Sequence, residues 1–174
     1  IISHDYEVWC AGYNSGGQLG DASTTNRHSF VKTGIPSTSR VIDLDAGYRH
    51  ACALLENTEA WCWGDGGYGQ LGDLNTTSRT TPVLVQSIPV NRTAVSLTMG
   101  QYNSCAILDD GNVTCWGRDN YAQSTDPTLS DSRTAVQISA TRYTTCIVLN
   151  DSSTSCWGRD PYLGIGAQNW GTSD

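Results

Sequence analysis

Three pairs of cysteines stand ten positions apart, and a Trp-Gly dipeptide follows the second member of each. They are Cys52 and Cys62 before Trp63-Gly64, Cys105 and Cys115 before Trp116-Gly117, and Cys146 and Cys156 before Trp157-Gly158. A spacing kept three times in one chain marks an internal repeat. Cys10, before Ala11-Gly12, matches the second member of a fourth pair. Its partner is expected just ahead of Ile1, so Cys10 is read as unpaired in this chain, and the chain as a piece of a longer one. The glycine that closes each motif recurs after 52, 53 and 41 residues, and periods of this length build propellers or solenoids.

Within a repeat, two short apolar runs flank a polar tip. In the clearest copy Ser104–Leu108 and Asn112–Trp116 flank Asp109-Asp110-Gly111, and Asp-Gly between apolar runs signals a β-hairpin. Folding about Asp110 sets Cys105 opposite Cys115. Asn57 does the same for Cys52 and Cys62, and Asp151 for Cys146 and Cys156. Directly opposed residues of a non-hydrogen-bonded pair come within disulfide reach. Each hairpin is preceded by a run alternating with period two, at 40–44, 94–98 and 135–139, the pattern of a half-buried strand. Further short strands are expected near Ser29–Lys32 and Pro82–Gln86. About four strands per repeat is the content of a propeller blade, and no amphipathic helix is evident.

Composition narrows the setting. Seven cysteines in 174 residues, without a Cys-x-x-Cys, fit neither a structural zinc site nor a thioredoxin-like motif. Disulfides imply an extracellular location, secreted or at the cell surface. A net charge of −7 argues against a nucleic-acid partner and against docking on anionic lipid. No apolar run approaches the ~20 residues of a membrane span, so no membrane insertion is expected. No signal peptide is visible, which fits a processed chain or a fragment. Four Asn-x-Ser/Thr sequons, at Asn75, Asn91, Asn112 and Asn150, suit N-linked glycans in such a compartment.

The loops that follow the hairpins carry a recognisable signature. Gly12-Tyr-Asn-Ser-Gly-Gly-Gln-Leu-Gly20 resembles the Gly-x-Asn-x-x-Gly-Gln-Leu-Gly motif of RCC1-type repeats (regulator of chromosome condensation). Trp63–Gly72 resembles it too, with Gly66 in place of the Asn. Ala46-Gly-Tyr-Arg-His-Ala-Cys-Ala-Leu54 is similar to the family's Gly-x-x-His strand. Later copies drift: Asn103 replaces the His, Gln123-Ser124 stands for Gln-Leu, and the fourth keeps only Trp157-Gly and Leu163–Gly166. The resemblance implies an all-β fold, a segment of about three and a half four-stranded blades from a larger, typically seven-bladed, ring. It divides residues 1–174 into a partial blade at 1–21, repeats at 22–73, 74–124 and 125–166, and a tail at 167–174. The cysteine hairpins point to a secreted, disulfide-containing branch.

Gly67-Tyr-Gly-Gln-Leu-Gly72 also satisfies the dinucleotide fingerprint, which requires a following helix. None is predicted, so the run reads as a blade turn and no cofactor is expected. Trp63, Trp116 and Trp157 share one position suited to packing between blades, each indole N–H seeking one acceptor. His50 reads as a structural histidine, and Asp43 and Asp45 as a solvated strand face before a calcium site. No catalytic triad, paired carboxylates or metal cluster is evident, so no enzyme activity is expected. The expected function is a structural or protein-interaction unit of an extracellular assembly, through a protein partner or self-assembly. The alternatives are a soluble propeller that binds or inhibits one protein through its loops, and a glycan-binding module. Tyr68, Tyr121 and Tyr162 in the loops, with Trp170 near the C-terminus, are the candidate contact residues.

Overall fold

The computed structural model describes residues 1–36, 39–130 and 132–159. Twelve strands lie among them: β1 (Trp9–Gly12), β2 (Arg27–Lys32), β3 (Val41–Ala46), β4 (His50–Leu55), β5 (Ala60–Gly64), β6 (Arg79–Leu84), β7 (Ala94–Met99), β8 (Asn103–Leu108), β9 (Val113–Gly117), β10 (Ala135–Ala140), β11 (Thr144–Leu149) and β12 (Thr154–Gly158). They form four antiparallel sheets in chain order: β1-β2, β3-β4-β5-β6, β7-β8-β9 and β10-β11-β12. Each sheet is a blade or part of one. The leading strands β3, β7 and β10 contact one another in succession and mark the inner side of the arc.

The hairpin register places Cys52 opposite Cys62, Cys105 opposite Cys115 and Cys146 opposite Cys156. All three pairs are disulfide-bonded, with Cα atoms 4.0–4.1 Å apart. At each hairpin tip one residue takes a left-handed conformation: Thr58, Gly111 and Ser152, with φ of 71°, 79° and 68°. Only the second copy supplies the glycine this conformation favours.

The fourth strand, β6, belongs to the blade of β3–β6. In the next blade a carboxylate occupies the matching edge. Asp126 accepts from the Cys115 N–H at 2.7 Å and from the Thr114 hydroxyl at 3.4 Å, which covers an edge that would otherwise offer open pairing groups.

Blades stack through a repeated two-sided interface. The disulfide face of one blade meets the tryptophan face of the next. Cys52, Leu54 and Cys62 pack with Ala94, Ala106 and Trp116. Cys105, Ile107 and Val113 pack with Ile147, Leu149 and Trp157. Val8 and Cys10 pack with Ala51, Leu55 and Trp63. The alternation of strand side chains produces this arrangement, because residues two apart share a face. Burying one such indole is worth about 3–5 kcal/mol against its truncation to alanine.

Antiparallel alternation also sorts the loops. The β3–β4 and β5–β6 connections leave the sheet at one edge, here the upper face. The β4–β5 tip and the lead-in to β3 leave at the opposite, lower face. The same holds for the equivalent loops of the next two blades.

Candidate functional site

The Gln-Leu-Gly turns latch blade to blade. The Trp63 indole N–H donates to the Gln18 carbonyl at 2.9 Å, and that of Trp116 to the Gln70 carbonyl at 3.0 Å. The Ser104 hydroxyl donates to the same Gln70 carbonyl at 2.8 Å and lies 3.0 Å from His50 Nε2. Gly20 and Gly72 rest directly on the indoles. A Cβ on Gly72 would stand 2.8 Å from Trp116 Nε1, at a φ of +68°. The third turn departs from this. Ser124 and Thr125 replace Leu71 and Gly72, and both bond to Asp119 instead. The Gln123 carbonyl accepts from Thr145, and the Trp157 N–H has no partner among the described residues.

His50 is buried at this latch. Burial pushes its pKa down to about 4, against partial opposition from Asp65 and Asp45. The ring is therefore neutral at pH 7 and serves packing. Asp43 and Asp45 are half-buried, which differs from the expected solvated face. Each reaches the inner strand of the next blade, Asp43 accepting from Leu97 N–H at 2.9 Å and Asp45 from Met99 N–H at 2.7 Å. The Thr98 hydroxyl accepts from Ala140 N–H in the same way at 3.0 Å. A side-chain acceptor on one inner strand thus satisfies backbone donors that no sheet partner reaches.

The upper face carries the candidate contact site. Each Trp-Gly glycine has a φ of 104–116° and lies where a Cβ would strike a carbonyl of the inner loop: Arg49 for Gly64, Tyr102 for Gly117, Tyr143 for Gly158. The bulge lets the following residue bond that carbonyl, so Arg118 N–H donates to Tyr102 and Arg159 N–H to Tyr143. The signature glutamine sets the remaining member. Gln70 Oε1 accepts from Tyr68 N–H, and Gln123 Oε1 from Tyr121 N–H, both at 2.8 Å.

Two equivalent triads result, one at each of two successive blade junctions. Tyr68 and Tyr102 have ring centroids 5.0 Å apart, with the Arg118 guanidinium 4.9 and 5.6 Å from them. Tyr121 and Tyr143 are 5.4 Å apart, with Arg159 at 5.0 and 5.4 Å. Arg49 lies over Tyr13 and Tyr48, and Arg142 over Tyr143. A cavity of about 440 Å³ between the inner loops is lined by Tyr48, Gln101 and Arg142 among others.

Of the sequence candidates, Tyr68 and Tyr121 join this face, while Tyr162 and Trp170 lie outside the described residues. Tyr102, Tyr143, Arg118 and Arg159 were not singled out by sequence. The signal was available: two of them follow Trp-Gly directly, and two immediately precede β8 and β11. All four sequon asparagines are exposed. Asn112 and Asn150 lie at lower-face hairpin tips, Asn91 beside them ahead of β7, and Asn75 in the upper β5–β6 loop. Cys10 carries no disulfide and is half-buried, and burial raises its thiol pKa.

Comparison with known proteins agrees with this architecture. The regulator of chromosome condensation (RCC1) repeat is matched at residues 41–70 and 94–123, and in a second form at 59–107. The ultraviolet-B receptor UVR8 of Arabidopsis thaliana is 27% identical over 115 residues, 66% of this chain and 25% of the receptor. Among solved structures, Prp20p of Saccharomyces cerevisiae is 21% identical with a TM-score of 0.76, covering 88% of this chain and 41% of that one. The ectodomain of the receptor kinase CR4 of Physcomitrella patens is 24% identical with a TM-score of 0.58, covering 83% and 37%. The chain spans a quarter of UVR8 and about two fifths of these solved structures. With RCC1 repeats matched within residues 41–123, stacked blades and three hairpin disulfides, the chain is an RCC1-like, disulfide-containing partial-propeller segment.

Proposed function

We propose that this segment is a non-enzymatic protein-interaction unit of an extracellular assembly, secreted or at the cell surface, and that it carries N-linked glycans. The observation that carries the reading is the place of the three disulfides. Cys52–Cys62 and Cys105–Cys115 lie in the faces that blades bury against one another, and Cys146–Cys156 is half-buried at the equivalent place of the last described blade; bonds of this kind persist in oxidising compartments. Four exposed sequons suit the same compartment, and a fold of this kind serves as a receptor-kinase ectodomain in CR4. Contact with the partner is made through the upper face, where Tyr and Arg, the residues that dominate interface energetics, gather at two junctions. Three of the four sequons lie at the lower edge and leave that face open.

The test is to recover the protein from its own source and map its peptides without reduction. Bridged Cys52–Cys62, Cys105–Cys115 and Cys146–Cys156 peptides, with glycan mass on at least one sequon, support the reading. Recovery from the cytosol with seven free thiols overturns it.

A second reading, a soluble propeller that binds or inhibits one protein, draws on the same upper face. Solution state separates the two: assembly into larger arrays supports the structural unit, and a monodisperse particle with one tight partner supports the inhibitor.

A further inference from the structure

We infer that the upper face binds a proline-rich segment of a partner protein, in the polyproline II conformation, along the row of Tyr48, Tyr102 and Tyr68. The inference rests on the upper face being the contact surface and adds the chemistry of what it contacts.

The first argument is charge. On this face the two signs offset one another. Arg49, Arg118 and Arg142 stand among loops that also carry Asp65, exposed Asp119 and the Arg79–Asp73 ion pair. A surface of mixed sign has little field with which to select a strongly charged ligand. What it does offer is ring surface: Tyr48 is 60% exposed and Tyr68 47%.

The second argument is the hydrogen-bonding character of the row. The hydroxyls of Tyr48, Tyr68 and Tyr102 make no hydrogen bond within the described residues, and each is a donor. The nearby carboxylates are already engaged as acceptors. Asp65 accepts from Gly67 N–H and the Ser78 hydroxyl, and Asp119 from Ser124 N–H and the Thr125 hydroxyl. Asp73 accepts from the Arg79 guanidinium. A proline-rich segment is the complement of such a surface. Its carbonyls are unbonded in polyproline II, and its prolines have no N–H to satisfy. A sugar brings a donor with every hydroxyl and needs acceptors as well.

The third argument is geometry. The Tyr48 and Tyr102 rings have centroids 6.4 Å apart at 78°, and Tyr102 and Tyr68 5.0 Å apart at 57°. Rings tilted in this way form slots between them in place of a flat platform. The two steps together are close to one turn of polyproline II, about 9 Å, and aromatic-lined slots are a general means of holding prolines. The rings are also set in advance. Gln70 Oε1 accepts from Tyr68 N–H, and the Tyr102 carbonyl from Arg118 N–H. The Arg118 guanidinium lies 4.9 and 5.6 Å from the two ring centroids. Fixed rings and a ligand that is already extended both lower the entropic cost of binding. At the inner end of the row Tyr48 borders the cavity of about 440 Å³, beside Ala46, Gly47 and Met99, which gives the segment room to continue.

The test titrates the whole chain into fluorescein-labelled decaproline, followed by anisotropy, beside a Gly-Ser decapeptide, a peptide of alternating Glu and Gly, and cellohexaose. Saturable binding of decaproline alone, little changed by added salt, is expected. Tyr48→Ala with Tyr68→Ala should weaken it at least ~10-fold, the loss typical of interface aromatics. Tyr68→Phe keeps the ring and loses the donor, so it should weaken binding several-fold less than the double variant does. Tyr6→Ala removes an exposed aromatic ring in the turn before β1 and should leave binding unchanged. Intact disulfides and a cooperative urea transition establish that each variant is folded. Absent decaproline binding, equal binding of the Gly-Ser peptide, binding indifferent to Tyr48 and Tyr68, or binding of the Glu-Gly peptide or cellohexaose in its place overturns the inference. None of these results bears on the compartment, which the disulfide and glycan map decides separately.

Discussion

Acid should destabilise this protein through His50, in a pH range where its carboxylates contribute little. In the folded state the ring is buried against Ser104 and beneath Gly47, and its pKa is about 4. In the unfolded chain it returns to about 6.5. A depressed folded pKa means that the stabilising contribution is fully present above pH 6.5 and is lost as the pH falls toward 4. The full contribution is on the order of 3 kcal/mol. Between pH 7 and pH 5 linkage gives a loss of about 1.8 kcal/mol, with a slope near pH 5.5 of about 1.2 kcal/mol per pH unit. Asp126 works in the opposite sense, since burial raises its carboxyl, and it cannot produce this slope.

The assay is urea unfolding at half-unit steps from pH 7.5 to 4.5, oxidised throughout, with tryptophan fluorescence as the signal. The control is His50→Asn. Asn103 and Thr144 occupy the equivalent position in the next two blades, so the backbone there accepts a neutral side chain. The variant should lose most of the slope between pH 6.5 and 4.5, whatever its absolute stability. A slope in His50→Asn equal to that of the parent would refute the reasoning and move the acid sensitivity to another group.

Gly72→Ala should cost about 3 kcal/mol in urea unfolding, because the methyl meets Trp116 and Val85 within 2.9 Å at a left-handed φ. Gly67→Ala, exposed and with 3.4 Å to its nearest neighbour, should be close to neutral, and equal losses at both sites would discredit the latch. Thr58→Gly should gain about 1 kcal/mol, since a β-branched residue holds φ at 71° there; thermal melting reads the gain. A cysteine added directly before Ile1 should bond Cys10. Ile1 and Trp9 exchange both backbone hydrogen bonds at 2.9 Å, as Ala53 pairs with Trp61 one step from Cys52–Cys62. The new loop should stabilise by about 2.7 kcal/mol. A non-reducing peptide map that still shows free Cys10 would show that the register does not extend that far.

The cysteine ladder made much of the fold legible because a hairpin disulfide fixes register directly. Placing Asn57, Asp110 and Asp151 at the tips decides which residues oppose, and alternation then decides which face each side chain takes. Trp63, Trp116 and His50 could be assigned to packing on that basis. Asp43 and Asp45 could not. Alternating charge on a strand looks solvated in sequence, and only the approach of the next inner strand shows that these carboxylates satisfy its backbone donors. That no strand lies among the described residues between Gly117 and Ala135 was equally hidden, because a single Asp126 can close an edge without any strand pattern. The Tyr and Arg residues of the upper face escaped for a related reason. Each triad is assembled from three loops of two blades, so no local motif contains it.

The latch and the upper face are also one device. Gln70 holds the Trp116 indole with its carbonyl and the Tyr68 backbone with its side chain, so the residue that joins two blades also positions the ring displayed above them. At the next junction Gln123 still holds Tyr121, although the Trp157 N–H has no partner among the described residues. Among the described residues the drifted repeat lacks the indole bond and keeps the displayed tyrosine. Packing alone would demand the opposite, since an unpaired buried N–H costs on the order of 1–3 kcal/mol and a half-exposed ring contributes little to a core. The retained feature is the one that faces outward, and this asymmetry supports reading the triads as a contact surface over reading them as surplus blade packing.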